Sequence, residues 1–132
     1  MAGQLRLTLP ADAAQLRTLR EELRNWLVSM TVSEDDRIEL ELSAVEAMSN
    51  SIEHGYAGRP GTVEIEAVLD ESAHLTLIIA DTGGWRVPPA DPGFRGRGLH
   101  MMRECADEMR VNGTAAGTTV RLTRRLRLTQ DA

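Results

Sequence analysis

The sequence predicts an α/β chain of the two-layer α+β sandwich kind: a mixed, mostly antiparallel sheet with its helices on one face. Three observations predict it. Leu5, Leu7 and Leu9 alternate with polar residues, which is the period of a strand with one buried side. Two segments of helical period then follow each other directly. After them come four strand-like runs in two adjacent pairs, and sequence neighbours joined by short turns pair antiparallel.

Taken in order, the first strand stops at Pro10. Asp12 stands in the N-cap region of a helix that carries Leu16, Leu19, Leu23, Trp26 and Leu27 at helical spacing. Ser33 begins a second helix, with Asp36 three residues on in a capping-box pattern. Its apolar stripe is Ile38, Leu42, Val45, Met48 and Ile52, and it ends near Gly55. Ala57 to Gly61 is a turn. Val63, Ile65, Ala67 and Leu69 alternate, Asp70 and Glu71 mark a hairpin, and Leu75 to Ala80 is a nearly all-apolar central strand. From Asp81 to Gly98 the glycines, prolines and arginines read as a loop. A helix from Leu99 to Asp107 leads into strands Met109 to Val111 and Thr119 to Leu128, with a turn at Asn112 and Gly113.

A length of 132 residues predicts one domain spanning 1–132, with enough buried surface to fold without disulfides or a structural metal. The one cysteine, Cys105, has no internal partner and reads as a semi-buried apolar residue, which suits a reducing compartment. No apolar run approaches the ~20 residues of a membrane span, and no signal segment opens the chain, so a cytoplasmic protein without a membrane partner is expected. A formal charge of −5 argues against direct nucleic-acid binding. Trp26, Tyr56, Trp85 and Phe94 are too scattered for a base-stacking platform. All fifteen basic residues are arginine. That excludes a Walker A loop, a eukaryotic-type kinase strand lysine and a Schiff-base lysine.

Four motifs carry candidate chemistry. On the second helix Glu46, Asn50 and His54 stack on one face, with Ser43 a turn earlier. They form either an ordinary solvated face or the wall of a polar cleft. Asp81-Thr82-Gly83-Gly84 directly follows the apolar strand. It is good turn chemistry, and equally a place where a carboxylate accepts from an exocyclic amine while glycine backbone approaches a flat ring. Arg95-Gly96-Arg97-Gly98 runs into a helix, either as a basic loop or as a phosphate cradle at a positive helix end. Gly117-Thr118-Thr119 enters the last strand. No second His or Cys stands at metal-ligand spacing, since His74 and His100 are alone.

The order of these motifs resembles the Bergerat-type ATP site shared by gyrase, heat-shock-90-type chaperones, mismatch-repair ATPases and histidine kinases. Within that superfamily the chain resembles the bacterial anti-sigma factors that act as serine kinases. The run Val45 to Tyr56 (VEAMSNSIEHGY) and the run Gly117 to Leu122 (GTTVRL) carry the resemblance, which covers nearly the whole chain. It implies ATP and magnesium held beneath a mobile lid. Asn50 would ligate magnesium, Asp81 the adenine amino group, and Gly83 would pack beside the base. Arg86, Arg95 or Arg97 would reach the terminal phosphate, Gly96 and Gly98 would cradle phosphates, Thr118 would support the adenine, and Glu46 would be the general base. The implied partners are a sigma factor, an anti-anti-sigma antagonist phosphorylated on serine, and a second copy of the chain in a homodimer. The chain departs from the pattern at Trp85, where the family's D-x-G-x-G motif has its last glycine, and in a short Asp81–Gly96 loop. Glu46 favours an active kinase. Trp85 favours a non-catalytic sequestering module of the same fold.

Overall fold

A computed structural model describes residues 2–56, 59–83, 104 and 106–129. The elements are β1 (Gly3–Pro10), α1 (Gln15–Ser29), α2 (Glu34–Asn50) continued by a π-helical turn (Ser51–Gly55), β2 (Thr62–Leu69), β3 (His74–Asp81), β4 (Glu108–Thr114) and β5 (Gly117–Arg125). The strands lie in the order β1-β2-β3-β5-β4, and every pairing among them is antiparallel. This is the expected two-layer α+β sandwich, and the sheet, expected to be mostly antiparallel, is antiparallel at every pairing among the described strands. Most of the helix expected over Leu99 to Asp107 lies outside the described residues.

Strict alternation sends one face of the sheet into the core. Val63, Ile65, Ala67 and Leu69 of β2 are buried, as are Leu75, Leu77 and Ile79 of β3 and Val120 and Leu122 of β5. Leu19, Leu23 and Leu27 of α1 close over that face at 0% exposure, with Leu16 and Trp26 partly packed beside them. At this density each such leucine stabilises the fold by roughly 2–3 kcal/mol through burial alone. The β2–β3 hairpin is held by Asp70, whose Oδ1 accepts from the backbone N–H groups of Ser72 (2.8 Å) and His74 (3.0 Å). The His74 amide is the main cause that keeps the Asp70 carboxyl below the usual carboxylate range.

Three expectations are corrected. Ile38 and Leu42 do not face the core: they are 49% and 44% exposed, while Leu40, Ala44, Ala47 and Met48 are buried. Of the expected stripe only Met48 and Ile52 pack inward. α2 is apolar on two sides, so periodicity leaves its rotation open, and buried polar anchors decide it. The Asp36 carboxylate accepts from Arg124 Nη2 (2.6 Å) and from the Arg127 backbone N–H (2.7 Å) at the far end of β5. Arg124 also pairs with Glu39, and Glu41, 5% exposed, accepts from Arg24 Nη2 at 2.9 Å.

The second correction concerns the cap. Ser33 Oγ accepts from the Asp36 N–H at 3.4 Å, but the Asp36 carboxylate goes to β5 instead of returning to Ser33. The Ser33 N–H is satisfied by the Arg127 carbonyl at 2.9 Å. Third, Asn112 and Gly113 are paired residues of β4, opposite Thr119 and Thr118. The turn falls between Thr114 and Gly117, where Thr114 Oγ1 accepts from the Ala116 N–H at 3.1 Å and Gly117 takes φ +144°.

Candidate functional site

β3 delivers Asp81 to the edge of the core, where it is 7% exposed. Its Oδ1 accepts from the Gly83 N–H at 3.1 Å, so the Asp-Thr-Gly turn is wound around the carboxylate, and no group among the described residues is recorded donating to Oδ2. The β3–β5 register sets Thr118 beside Asp81. Gly117 makes that register possible, since a Cβ there would lie 2.1 Å from the Asp81 carbonyl oxygen. Two motifs that begin 36 residues apart in sequence, at Asp81 and Gly117, thus meet as one structure, and a glycine is the condition for their meeting.

Thr118 is 6% exposed, and its Oγ1 is buried without a hydrogen-bond partner among the described residues. A buried hydroxyl left unpaired costs about 1–3 kcal/mol, so it signals a missing partner. It lines a narrow cleft of about 10 Å³, the room of about one water, between the sheet and the end of α2, with Asp81, Asn50 and Ser51 as polar walls and Ala47, Val111 and Val120 as apolar ones. Glu46 lies one turn before Asn50 on the same helix, half-buried.

The structure therefore brings Asn50, Asp81 and Thr118 to one cleft, with Gly83 buried at its rim and Glu46 a turn away. Arg86, Arg95, Gly96, Arg97 and Gly98 lie outside the described residues, as do Trp85, His100 and Cys105. Among the described residues no three His, Cys, Asp or Glu side chains converge as a metal site. A depression of about 320 Å³ lies on the uncovered face of β1–β3, lined by Arg6, Thr8, Glu64 and Glu66, and contains none of these residues.

Two residues escaped the sequence reading. Ser51 lines the cleft next to Asn50, hidden in sequence because a helical serine carries no signal of its own. Tyr56, 6% exposed, closes the π-helical turn through its N–H to the Ser51 carbonyl at 3.0 Å. Its hydroxyl donates to the Thr62 carbonyl at 2.5 Å and accepts from the Thr82 N–H at 3.1 Å. The available signal was its place in the run Val45 to Tyr56, which extends beyond the Glu46 and Asn50 spacing.

A family model described as "Histidine kinase-like ATPase domain" matches residues 9–124. The chain belongs to that family. Among curated proteins it is similar to the anti-sigma F factor of Bacillus cytotoxicus, 31% identical over 133 residues that cover 92% of this chain and 82% of the relative. It is also similar to the anti-sigma F factor of Priestia megaterium, 27% identical over 139 residues, covering 96% of this chain and 95% of the relative. Among solved structures it superposes on the RsbU and RsbW domains of Rv1364c from Mycobacterium tuberculosis with a TM-score of 0.77 and 29% identity, covering 98% of this chain and 35% of that one. In this histidine kinase-like ATPase chain the resemblance seen in the helix and strand motifs holds at the level of family and fold. No helix among the described residues is long and apolar enough to cross a membrane.

Proposed function

We propose that the chain is an anti-sigma factor that binds ATP with magnesium and phosphorylates a serine of an anti-anti-sigma antagonist. The observation that carries the reading is the Thr118 Oγ1, unpaired among the described residues and buried beside Asp81 in the cleft walled by Asn50 and Ser51. A purine with an exocyclic amine suits this arrangement. Asp81 Oδ2 accepts from the amine, Thr118 Oγ1 gains its missing partner, and the Gly83 backbone approaches the ring edge. Asn50 offers its amide oxygen to magnesium. Arg95, Gly96, Arg97 and Gly98 take the phosphates. ATP supplies the phosphoryl group and magnesium offsets its charge, so the protein's part is mainly positioning. Glu46 accepts the proton of the attacking serine hydroxyl.

In the same reading the protein also sequesters a sigma factor, acts as a homodimer and works in the cytoplasm. The names of the anti-sigma F relatives support the sigma-factor part of this reading, and the homodimer and the cytoplasmic location rest on the family resemblance of the motifs alone. Trp85, in place of a motif glycine, favours a second reading, a sequestering module with weak or no nucleotide binding.

One experiment separates the two. The protein is incubated with labelled ATP, magnesium and a candidate antagonist, alongside Glu46→Gln. The variant is expected to bind ATP with parental affinity and to transfer phosphate at least ~100-fold more slowly. Transfer at the parental rate would remove Glu46 as the base. Partner binding without nucleotide binding in the parent would establish the module.

A further inference from the structure

We infer that Tyr56 is a positioning residue for base recognition: its hydroxyl fixes the end of β3 and thereby sets how selectively Asp81 reads a 6-aminopurine. This rests on the nucleotide reading above, and the observation behind it is a bridge between the two walls of the cleft.

Thr62 carbonyl oxygen can only accept, so the phenol donates its single proton there, at 2.5 Å. The phenol oxygen then has lone pairs for the Thr82 N–H at 3.1 Å and for the Thr82 hydroxyl, 3.4 Å away. Val63 pairs with Asp81, so the next step of the β2–β3 ladder would set Thr62 opposite Thr82. The tyrosine oxygen stands in that step, bridging a carbonyl of one strand to an amide of the other. The strands part at the residue after Asp81, yet the Thr62 carbonyl and the Thr82 N–H both keep a partner in the phenol.

The ring itself is locked. A Cβ at Gly61 would lie 2.3 Å from it, so only glycine lets the chain pass. On the other side Tyr56 is tied to the helix, through the π-helical turn that begins directly after Asn50. Such turns widen a helix where function needs a local change of course. Here the turn carries a phenol from the helix that presents Asn50 to the strand that presents Asp81. Thr82 is held by Tyr56, Gly83 by Asp81 Oδ1, and the chain at Gly117 passes so close to the Asp81 carbonyl that a Cβ there would collide with it. The carboxylate has little freedom to turn, and a fixed acceptor distinguishes an amine from a carbonyl better than a mobile one.

The test is Tyr56→Phe, which keeps the ring and removes the oxygen. The full chain and the variant are titrated with ATP, with inosine triphosphate (a carbonyl in place of the 6-amino group) and with inorganic triphosphate, each with magnesium. The expected result is about a tenfold loss of ATP affinity with the other two ligands unchanged, so that the preference for ATP over inosine triphosphate collapses. Ile65→Val, a core change away from the cleft, should lower the melting temperature and keep the preference. A preference retained in Tyr56→Phe overturns the inference, and so does an equal loss for all three ligands, which would mark simple loosening. A parent that binds none of them defeats the nucleotide reading instead. The positioning itself is then read in ligand-free protein by amide hydrogen exchange. Thr82 and Gly83 should exchange faster in Tyr56→Phe while the middle of β3 is unchanged, and unchanged exchange at both residues overturns the bridge.

Discussion

Along α1 the buried positions are Leu19, Leu23 and Leu27. Along α2 they are Leu40, Ser43, Ala44, Ala47 and Met48, with Asp36 and Glu41 nearly as inaccessible. The two helices pack against each other, but by different means. α1 is held by apolar burial. α2 sits close through small side chains and is pinned by ion pairs to Arg24 and Arg124, leaving Ile38 and Leu42 outside. The difference follows from what each helix must present. α1 carries none of the candidate site residues. α2 must bring Glu46, Asn50 and Ser51 to the strand ends, and its rotation is set by polar contacts at its start.

That contrast can be broken, beginning with its largest expected effect. Leu23→Ala should destabilise the protein by about 2–5 kcal/mol in urea unfolding, since the side chain is fully buried. A loss below ~1 kcal/mol would mean α1 is not the apolar anchor. Next is Asp36→Asn, which weakens the Arg124 pair at the start of α2. Breaking a fully buried pair costs roughly 3–5 kcal/mol. Arg124 keeps 18% side-chain exposure, so about 2 kcal/mol is expected, with coupling to Arg124→Met in a double-mutant cycle. Additive effects would show that the rotation of α2 is decided elsewhere.

The smallest effect sharpens the comparison from the other side. Ile38→Ser and Leu42→Ser should each change stability by no more than about 0.5 kcal/mol, as exposed positions do. Chemical denaturation that gives a loss above ~2 kcal/mol for either would place that side chain in a packed contact.

α1 was legible because it has one apolar face, so period and burial coincide. The sheet was legible from alternation and from the nearness of its hairpin partners. In the candidate site, Glu46, Asn50 and Asp81 stood out as polar residues open to two readings, and their roles, like that of Thr118, came only from the order of motifs that resembles the family. Tyr56 could not be given a role, because its partners Thr62 and Thr82 lie 6 and 26 residues away and only the ladder brings them together. The β4–β5 turn was misplaced for a similar reason. Asn112-Gly113 is good local turn chemistry, but Gly117 must stand against Asp81, and that contact draws the turn to Thr114–Gly117.

By itself the sequence determined the strand and helix periods, the absence of any lysine-based phosphate site and the set of polar residues available for chemistry. These depend on local pattern and on composition. Only the tertiary structure decided which face of α2 points inward, because that choice rests on Arg124, 88 residues from Asp36. Only it set Asp81 beside a Thr118 hydroxyl that is unpaired among the described residues, because register, carried by a glycine that tolerates φ +144°, is a property of two strands together.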